Sequence, residues 1–163
     1  MAWTSTTTRV SGNVITATIW NNELVNNMKH LEIVHYSEFV SDKTINTTTE
    51  GTAVSVIAGS SVTYEAVPHL FQFFAPSFDS NAATMHITLF DGSTAVGDLY
   101  QGAGSGNADA LGACLRRLTP SAAAHTYNVK AWIASGSGTI HAGAGGTGGT
   151  RVPGFLRVTR EPT

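Results

Sequence analysis

The fold is decided by stretches such as YNVKAWI, which runs from Tyr127 to Ile133. Every second side chain of an extended strand points to the same face, so this stretch has one apolar face and one mixed face. The stretch MHITL, from Met85 to Leu89, alternates in the same way. Both patterns predict strands that bury one face in a core. The predicted core residues are Tyr127, Val129, Ala131, Ile133, Met85, Ile87 and Leu89.

Other runs of strand composition follow along the chain, and turn residues close each of them. Asp91-Gly92 is a dipeptide favoured in tight hairpin turns. Residues 108–118 fit either a short helix or a bent strand, because three leucines recur at steps of four and three. About eight short strands at regular spacing predict a mainly β protein, an antiparallel jelly-roll-like β-sandwich. The expected strands cover 52–58, 62–67, 69–74, 85–90, 95–100, 125–134, 139–142 and 155–160, and residues 33–40 form either a first strand or an extended crossover.

The front of the chain departs from the strand pattern. Residues 1–15 read as an extended, threonine-rich arm, and Thr16 is a suitable N-cap for a helix that continues to Leu31. Its asparagine-rich faces are poor helix formers, so docking of an apolar stripe must stabilise the helix. Two interpretations stay open: the stripe lies on the sheet of its own domain, or it anchors the chain to a partner. The partner-docking candidates are Ile15, Trp20, Leu24, Met28 and Leu31.

Size and composition restrict the domain organisation and the partners. The chain has 163 residues, the size of one domain, which we divide into an N-terminal arm and attachment helix (1–31) and a β-sandwich domain (32–163). Charged residues make up 12% and the net charge is −2, with no concentrated basic face, so a nucleic-acid partner is not expected. No apolar stretch is long enough for membrane insertion, and no signal peptide is recognisable. So low a charge favours a protein that hides surface in an assembly.

The residues that carry enzyme chemistry do not form recognisable motifs. The six histidines lack metal-ligand spacing, and Cys114 reads as a small buried hydrophobe. No Gly-x-Ser-x-Gly elbow occurs, and the glycine-rich run 143–149 lacks the lysine of a phosphate-binding loop. We therefore predict a non-enzyme without catalytic residues, cofactor or metal.

A cluster of phenylalanines points to a contact beyond the core. Phe73 and Phe74 are adjacent, so they cannot both point inward from a strand. One of them should face another layer, which is either the helix or another subunit. In jelly-roll trimers such aromatic residues commonly line the subunit contact, so we predict Phe73 and Phe74 as that contact. The alternative is that Phe74 lies beneath a loop of its own domain.

The predicted helix also carries a short motif: ITA at 15–17, WN at 20–21, Leu24, and NM at 27–28. This run resembles the "ITA…WN…L…DN" segment near the N-termini of virion accessory proteins of tailed bacteriophages, with Asn26 where that segment has an acidic residue. The family includes minor tail, tail-fibre and capsid decoration proteins. The resemblance implies a structural part of a virion, made in the host cytoplasm, that is attached to other virion proteins of the capsid or tail.

The end of the chain supports a related expectation. Residues 125–132, 136–140, 143–149 and 153–158 are similar to the closing strands of trimeric jelly-roll heads on viral surface proteins. This similarity implies a surface-exposed homotrimer, with a host-surface glycan as a further candidate partner. The rival hypothesis is a carbohydrate-binding β-sandwich module, in which Trp132 or Tyr100 stacks on sugar rings.

Overall fold

A computed structural model describes residues 16–20, 32–103 and 112–161. Within these ranges the chain is mainly β, which confirms the predicted fold class at that level. The helical elements are α1 (Ala17–Trp20) and a 3₁₀ turn (Glu50–Thr52). The strands are β1 (Ile33–Phe39), β2 (Lys43–Ile45), β3 (Val54–Ile57), β4 (Val62–Thr63), β5 (His69–Ala75), β6 (Ser77–Asp79), β7 (Thr84–Asp91), β8 (Thr94–Ala103), β9 (Gly112–Leu118), β10 (Ala124–His125), β11 (Tyr127–Ile133), β12 (Gly138–His141) and β13 (Gly154–Arg160).

Two antiparallel sheets of four strands dominate the structure. The first sheet has the order β1-β13-β5-β9, and the second sheet has the order β3-β11-β7-β8. Smaller sheets, β10-β4 and β2-β12-β6, accompany them. The eight strands of the two large sheets pair in a nested order along the chain. The first strand pairs with the last, the second with the seventh, the third with the sixth and the fourth with the fifth. These pairs are β1 with β13, β3 with β11, β5 with β9, and β7 with β8.

The inner faces of the two large sheets share one hydrophobic core, an arrangement consistent with a β-sandwich. Phe71 of the first sheet meets Tyr127 of the second edge to face, with ring centroids 4.6 Å apart. Fully burying an aromatic or branched aliphatic side chain contributes about 1.5–3 kcal/mol, so this shared core is the main source of stability. All of the predicted core residues are buried: Tyr127, Val129, Ala131, Ile133, Met85, Ile87 and Leu89.

Two local predictions are also settled. Gly92 lies in the turn between β7 and β8 with φ of 57°, a left-handed conformation that glycine adopts without steric cost, as the Asp91-Gly92 dipeptide predicts. Residues 112–118 form a strand rather than a helix, because β9 pairs with β5 along its whole length. Backbone pairing thus overrides the helical spacing of the leucines there.

Of the predicted attachment helix, the structure describes only the first turn. The turn α1 follows Thr16, where the N-cap is expected. Residues 21–31 lie outside the described residues, so the stripe through Leu24, Met28 and Leu31 stays a prediction, as does the position of Ile15. Among the described residues, no helix has the length and apolar character needed to cross a bilayer.

Candidate interaction surface

The outer face of the first sheet carries an unusual concentration of apolar side chains, which we call the apolar face. Tyr36 on β1 stacks on Phe155 of β13 at a centroid distance of 5.7 Å. Phe155 stacks in turn on Phe74 of β5 at 5.3 Å. Leu115 on β9 continues the surface across the fourth strand, in register with Gln72. The apolar face consists of Ile33, Tyr36, Phe74, Leu115 and Phe155.

Exposure separates this surface from ordinary scattered apolar residues. Ile33 and Tyr36 are each 52% exposed, and Leu115 is 59% exposed. In the described part of the chain all of the large apolar side chains in this exposed class lie on the first sheet or beside it, since Val40 follows β1 and Val152 precedes β13. Exposed apolar side chains that are grouped on one face of a folded domain indicate a contact surface.

Polar residues on the same face are arranged around the aromatic ladder. Tyr36 donates its hydroxyl hydrogen to Glu38, at an oxygen-to-oxygen distance of 3.1 Å. Arg157 donates to Gln72 between the ladder and Leu115. Arg117, on the edge strand β9, pairs with Glu161. An acidic group therefore lies on one edge strand of the sheet and a basic group on the other.

The two predicted subunit-contact residues lie on opposite sides of the first sheet. Phe73 is fully buried and parallel to Phe39, with ring centroids 6.3 Å apart, so we place it in the core of its own chain. Phe74 is half-buried on the apolar face and remains the candidate for the subunit contact. Cys114 is buried next to Phe73 in register, and burial raises the pKa of its thiol, as for a small core hydrophobe.

The outer face of the second sheet differs in kind, and we call it the polar face. Trp132 stacks on His86 with centroids 3.8 Å apart and rings nearly parallel at 6°. His86 Nδ1 lies 2.9 Å from an Asp98 oxygen, and the other Asp98 oxygen accepts the Thr88 hydroxyl hydrogen at 2.5 Å. Lys130 places Nζ 4.5 Å from the centroid of the Phe90 ring. Most polar and aromatic groups on this face therefore have a partner within the chain.

Tyr100 and Trp132, the predicted sugar-stacking residues, occupy different environments. Tyr100 packs against the core, where its ring meets Phe78 edge to face at 5.1 Å. Trp132 lies on the polar face, and His86 covers one side of its indole ring. A sugar platform needs an open ring face, so Tyr100 is less suited to this role than Trp132.

Histidine and aspartate side chains meet in three separate pairs. These are His86 with Asp98, His125 with Asp91, and His141 with Asp42, each through Nδ1 at 2.6–2.9 Å. In every pair the second carboxylate oxygen accepts another hydrogen bond, from the hydroxyl of Thr88 or from the backbone N–H of Thr126 or Ala142. The described residues contain no group of three acidic, histidine or cysteine side chains that is placed to hold a metal ion.

The pair of His125 and Asp91 has a third member that sequence reasoning missed. Ser121 Oγ lies 3.0 Å from His125 Nε2, on the ring edge opposite Asp91. Tyr127 stacks on the imidazole at 5.6 Å, and Tyr64 meets its edge at 5.9 Å. Burial, together with the charge of Asp91, raises the pKa of Tyr127 to about 12. A serine four residues before a histidine is the available sequence signal, and it is a weak one.

A small cavity lies at the end of the first sheet near β4. Its volume is about 230 Å³, and Tyr64, His69 and Arg160 are among the residues that line it. Arg160 pairs there with Glu65, and burial lowers the pKa of His69. This volume is below the usual range of ligand pockets.

The sequence was compared with protein-family models and with curated proteins. No protein-family model matches the chain, and no curated protein matches it. Functional interpretation therefore depends on the residues and on the geometry described above.

Proposed function

We propose that this chain is a structural protein of a tailed-phage virion, attached to the particle as a surface-exposed homotrimer. The single observation that supports it best is the apolar face, where Tyr36 and Leu115 are more than half exposed and Phe74 is half-buried in the described part of the chain. Burial of apolar area contributes about 25 cal/mol per Å², so water contact at this face is costly to the isolated chain.

We infer a jelly-roll topology for the β domain. A jelly roll is a double sheet of eight strands with Greek-key connections. The nested pairing of the strands, from β1 with β13 inward to β7 with β8, supports this topology, since it is the pattern of a long antiparallel ribbon folded into two sheets. Trimeric jelly-roll heads are the class that the closing strands of this chain resemble.

The occupant of the apolar face is a second copy of this chain. A cyclic arrangement brings one edge of the sheet against the opposite edge of its neighbour, and here Glu38 lies on edge strand β1 while Arg117 lies on edge strand β9. Four strands of seven residues present a face of roughly 400 Å², about half of what each partner contributes to a standard interface. Val40 and Val152, next to the sheet, are placed to enlarge the contact.

The attachment helix supplies the second contact, to the capsid or tail. Its predicted stripe includes Trp20, which is the last residue of α1. Attachment through the helix and assembly through the sheet are separate events, so variants at the two places have different effects.

The test is association with purified phage particles. Trp20→Asp is expected to abolish co-purification of the full-length chain with particles and to leave its native mass unchanged. Thr18→Asp, at an exposed position of the same helical turn, serves as the matched control. Immunogold electron microscopy then locates the wild-type chain on the capsid shell or the tail. Absence of the wild-type chain from washed particles would contradict the proposed function.

A carbohydrate-binding module is the alternative function, and it makes different predictions. It predicts a monomer whose melting temperature rises with a sugar ligand, and Trp132→Ala should abolish that rise. A homotrimer with no sugar-dependent shift supports the structural role instead.

A further inference from the structure

We propose that Ser121 is an activated nucleophile that reacts with small esters, with His125 as its general base and Asp91 as the positioning residue. The three side chains form a relay: Ser121 Oγ lies 3.0 Å from His125 Nε2, and His125 Nδ1 lies 2.6 Å from Asp91 Oδ2. A hydroxyl bonded to an imidazole that a carboxylate orients is the arrangement that activates serine. This reactivity is additional to the structural role and does not depend on it.

The hydrogen-bond roles follow from the carboxylate. An ionised Asp91 only accepts, so His125 donates from Nδ1 and presents a lone pair at Nε2. The Ser121 hydroxyl then donates to Nε2, which is the direction that proton abstraction requires. The Ser121 carbonyl oxygen lies 3.2 Å from Nε2 and can accept its hydrogen once the ring has taken up the proton.

The His125 imidazole is held in a fixed orientation, as an effective general base requires. Thr126 donates its backbone N–H to Asp91 at 3.0 Å, and Tyr127 covers one face of the imidazole. The His125 side chain is 15% exposed, whereas Ser121 is exposed on the turn after Pro120. The reactive atom is therefore accessible while its activating groups are shielded.

The chain contains partial versions of the same relay, which serve as internal controls. His35 and Ser37 share a 3.1 Å contact between Nε2 and Oγ, and His35 has no carboxylate partner among the contacts of the described residues. His86 and His141 have the carboxylate through Nδ1, but the described contacts place no serine hydroxyl on Nε2 of either ring. Only the set at Ser121 combines all three groups within the described part of the chain.

The proposed reaction is the hydrolysis of an ester through an acyl-serine intermediate. Ser121 Oγ attacks the carbonyl carbon of an ester while its proton moves to His125 Nε2. The carbon–oxygen bond to the leaving alkoxide breaks, and the imidazolium protonates that alkoxide to an alcohol. Water then hydrolyses the acyl-serine through the same base and releases a carboxylic acid. With an alkyl fluorophosphonate, the oxygen–phosphorus bond forms, fluoride departs, and the serine adduct persists.

The experiment treats the full-length chain with an alkyl fluorophosphonate and follows the adduct by intact mass and peptide mapping. We expect one adduct, on Ser121, and none on Ser37. Asp91→Asn should slow labelling by about 10²-fold or more, since general-base assistance contributes roughly 10²–10⁴-fold. Ser121→Ala should abolish both the adduct and hydrolysis of p-nitrophenyl acetate, while Ser37→Ala should leave both unchanged.

Two results would overturn the assignment. One is failure of Ser121 to label under conditions that label a serine hydrolase added to the same tube. The other is labelling of Ser121 at a rate that Asp91→Asn does not change, with the fold of the variant verified by its melting temperature. Ser121→Ala removes an exposed hydroxyl, and its native mass is expected to equal that of the wild type.

Discussion

The outer faces of the two large sheets both carry aromatic residues. The faces differ in how far the side chains are covered by contacts within the chain. On the polar face, Trp132 stacks on His86, and His86 is hydrogen-bonded to Asp98. On the apolar face, Tyr36 and Leu115 are more than half exposed. In the described part of the chain, most groups on the polar face contact one another, whereas the apolar face leaves large apolar side chains exposed.

This difference shows how a chain of low charge distributes its charged and apolar side chains between two outer faces. A monomer that must stay dispersed covers its outer faces with mixed charges. Here the second sheet carries Lys130 and Asp98, whereas the first sheet, beside its charged groups, exposes Tyr36 and Leu115. We infer that the first sheet faces another subunit and the second sheet faces solvent.

The largest effect on stability should separate the inner and outer sides of the first sheet. Phe73→Ala removes a fully buried ring and is expected to lower the free energy of unfolding by about 3–5 kcal/mol. Phe74→Ala, its neighbour on the apolar face, should cost far less in the monomer and should weaken assembly instead. Urea denaturation with parallel native mass measurements checks both, and equal losses of stability would contradict the assignment of the two faces.

A smaller effect should appear on the polar face. Asp98→Asn keeps the size of the side chain but removes the charge that accepts from Thr88 and His86. We expect a loss of about 1 kcal/mol in unfolding free energy, the usual scale for such hydrogen bonds at a partly exposed site. The native mass should not change, and a change of oligomeric state would show that this face takes part in assembly.

The smallest effect concerns pH and the buried histidines of the first sheet. Burial lowers the pKa of His35 from its ordinary 6.5, and burial also lowers the pKa of His69. The unfolded chain therefore binds protons that the folded chain resists, so stability should fall as the pH drops below about 6.5 and should stay level above it. Urea midpoints between pH 8 and pH 5 measure this slope. His35→Gln should make it shallower, and an unchanged slope would contradict this origin.

Much of the fold was predictable because strand alternation reports burial directly. The alternation from Tyr127 to Ile133 and from Met85 to Leu89 identified core residues that the structure buries. The Asp91-Gly92 turn was predictable because it needs a particular backbone conformation. Residues 112–118 were ambiguous, since local leucine spacing carries no information about pairing with β5.

The candidate sites were less predictable, because they depend on register between distant strands. The sequence showed that Phe73 and Phe74 point to opposite sides, but not which of them faces the core. The ladder of Tyr36, Phe155 and Phe74 joins three strands that are far apart in the chain. The contact of Ser121 and His125 with Asp91 likewise spans a separation of about thirty residues, which no local motif reports.

Native mass spectrometry of the full-length chain tests the central inference, that the apolar face is a contact between copies. The wild type should have three times the mass of the 17.1 kDa chain. Leu115→Glu, on the apolar face, should shift the mass to that of the monomer, and Lys130→Glu, on the polar face, should leave the trimer intact. A monomeric wild type, or a trimer that survives Leu115→Glu, would contradict the account.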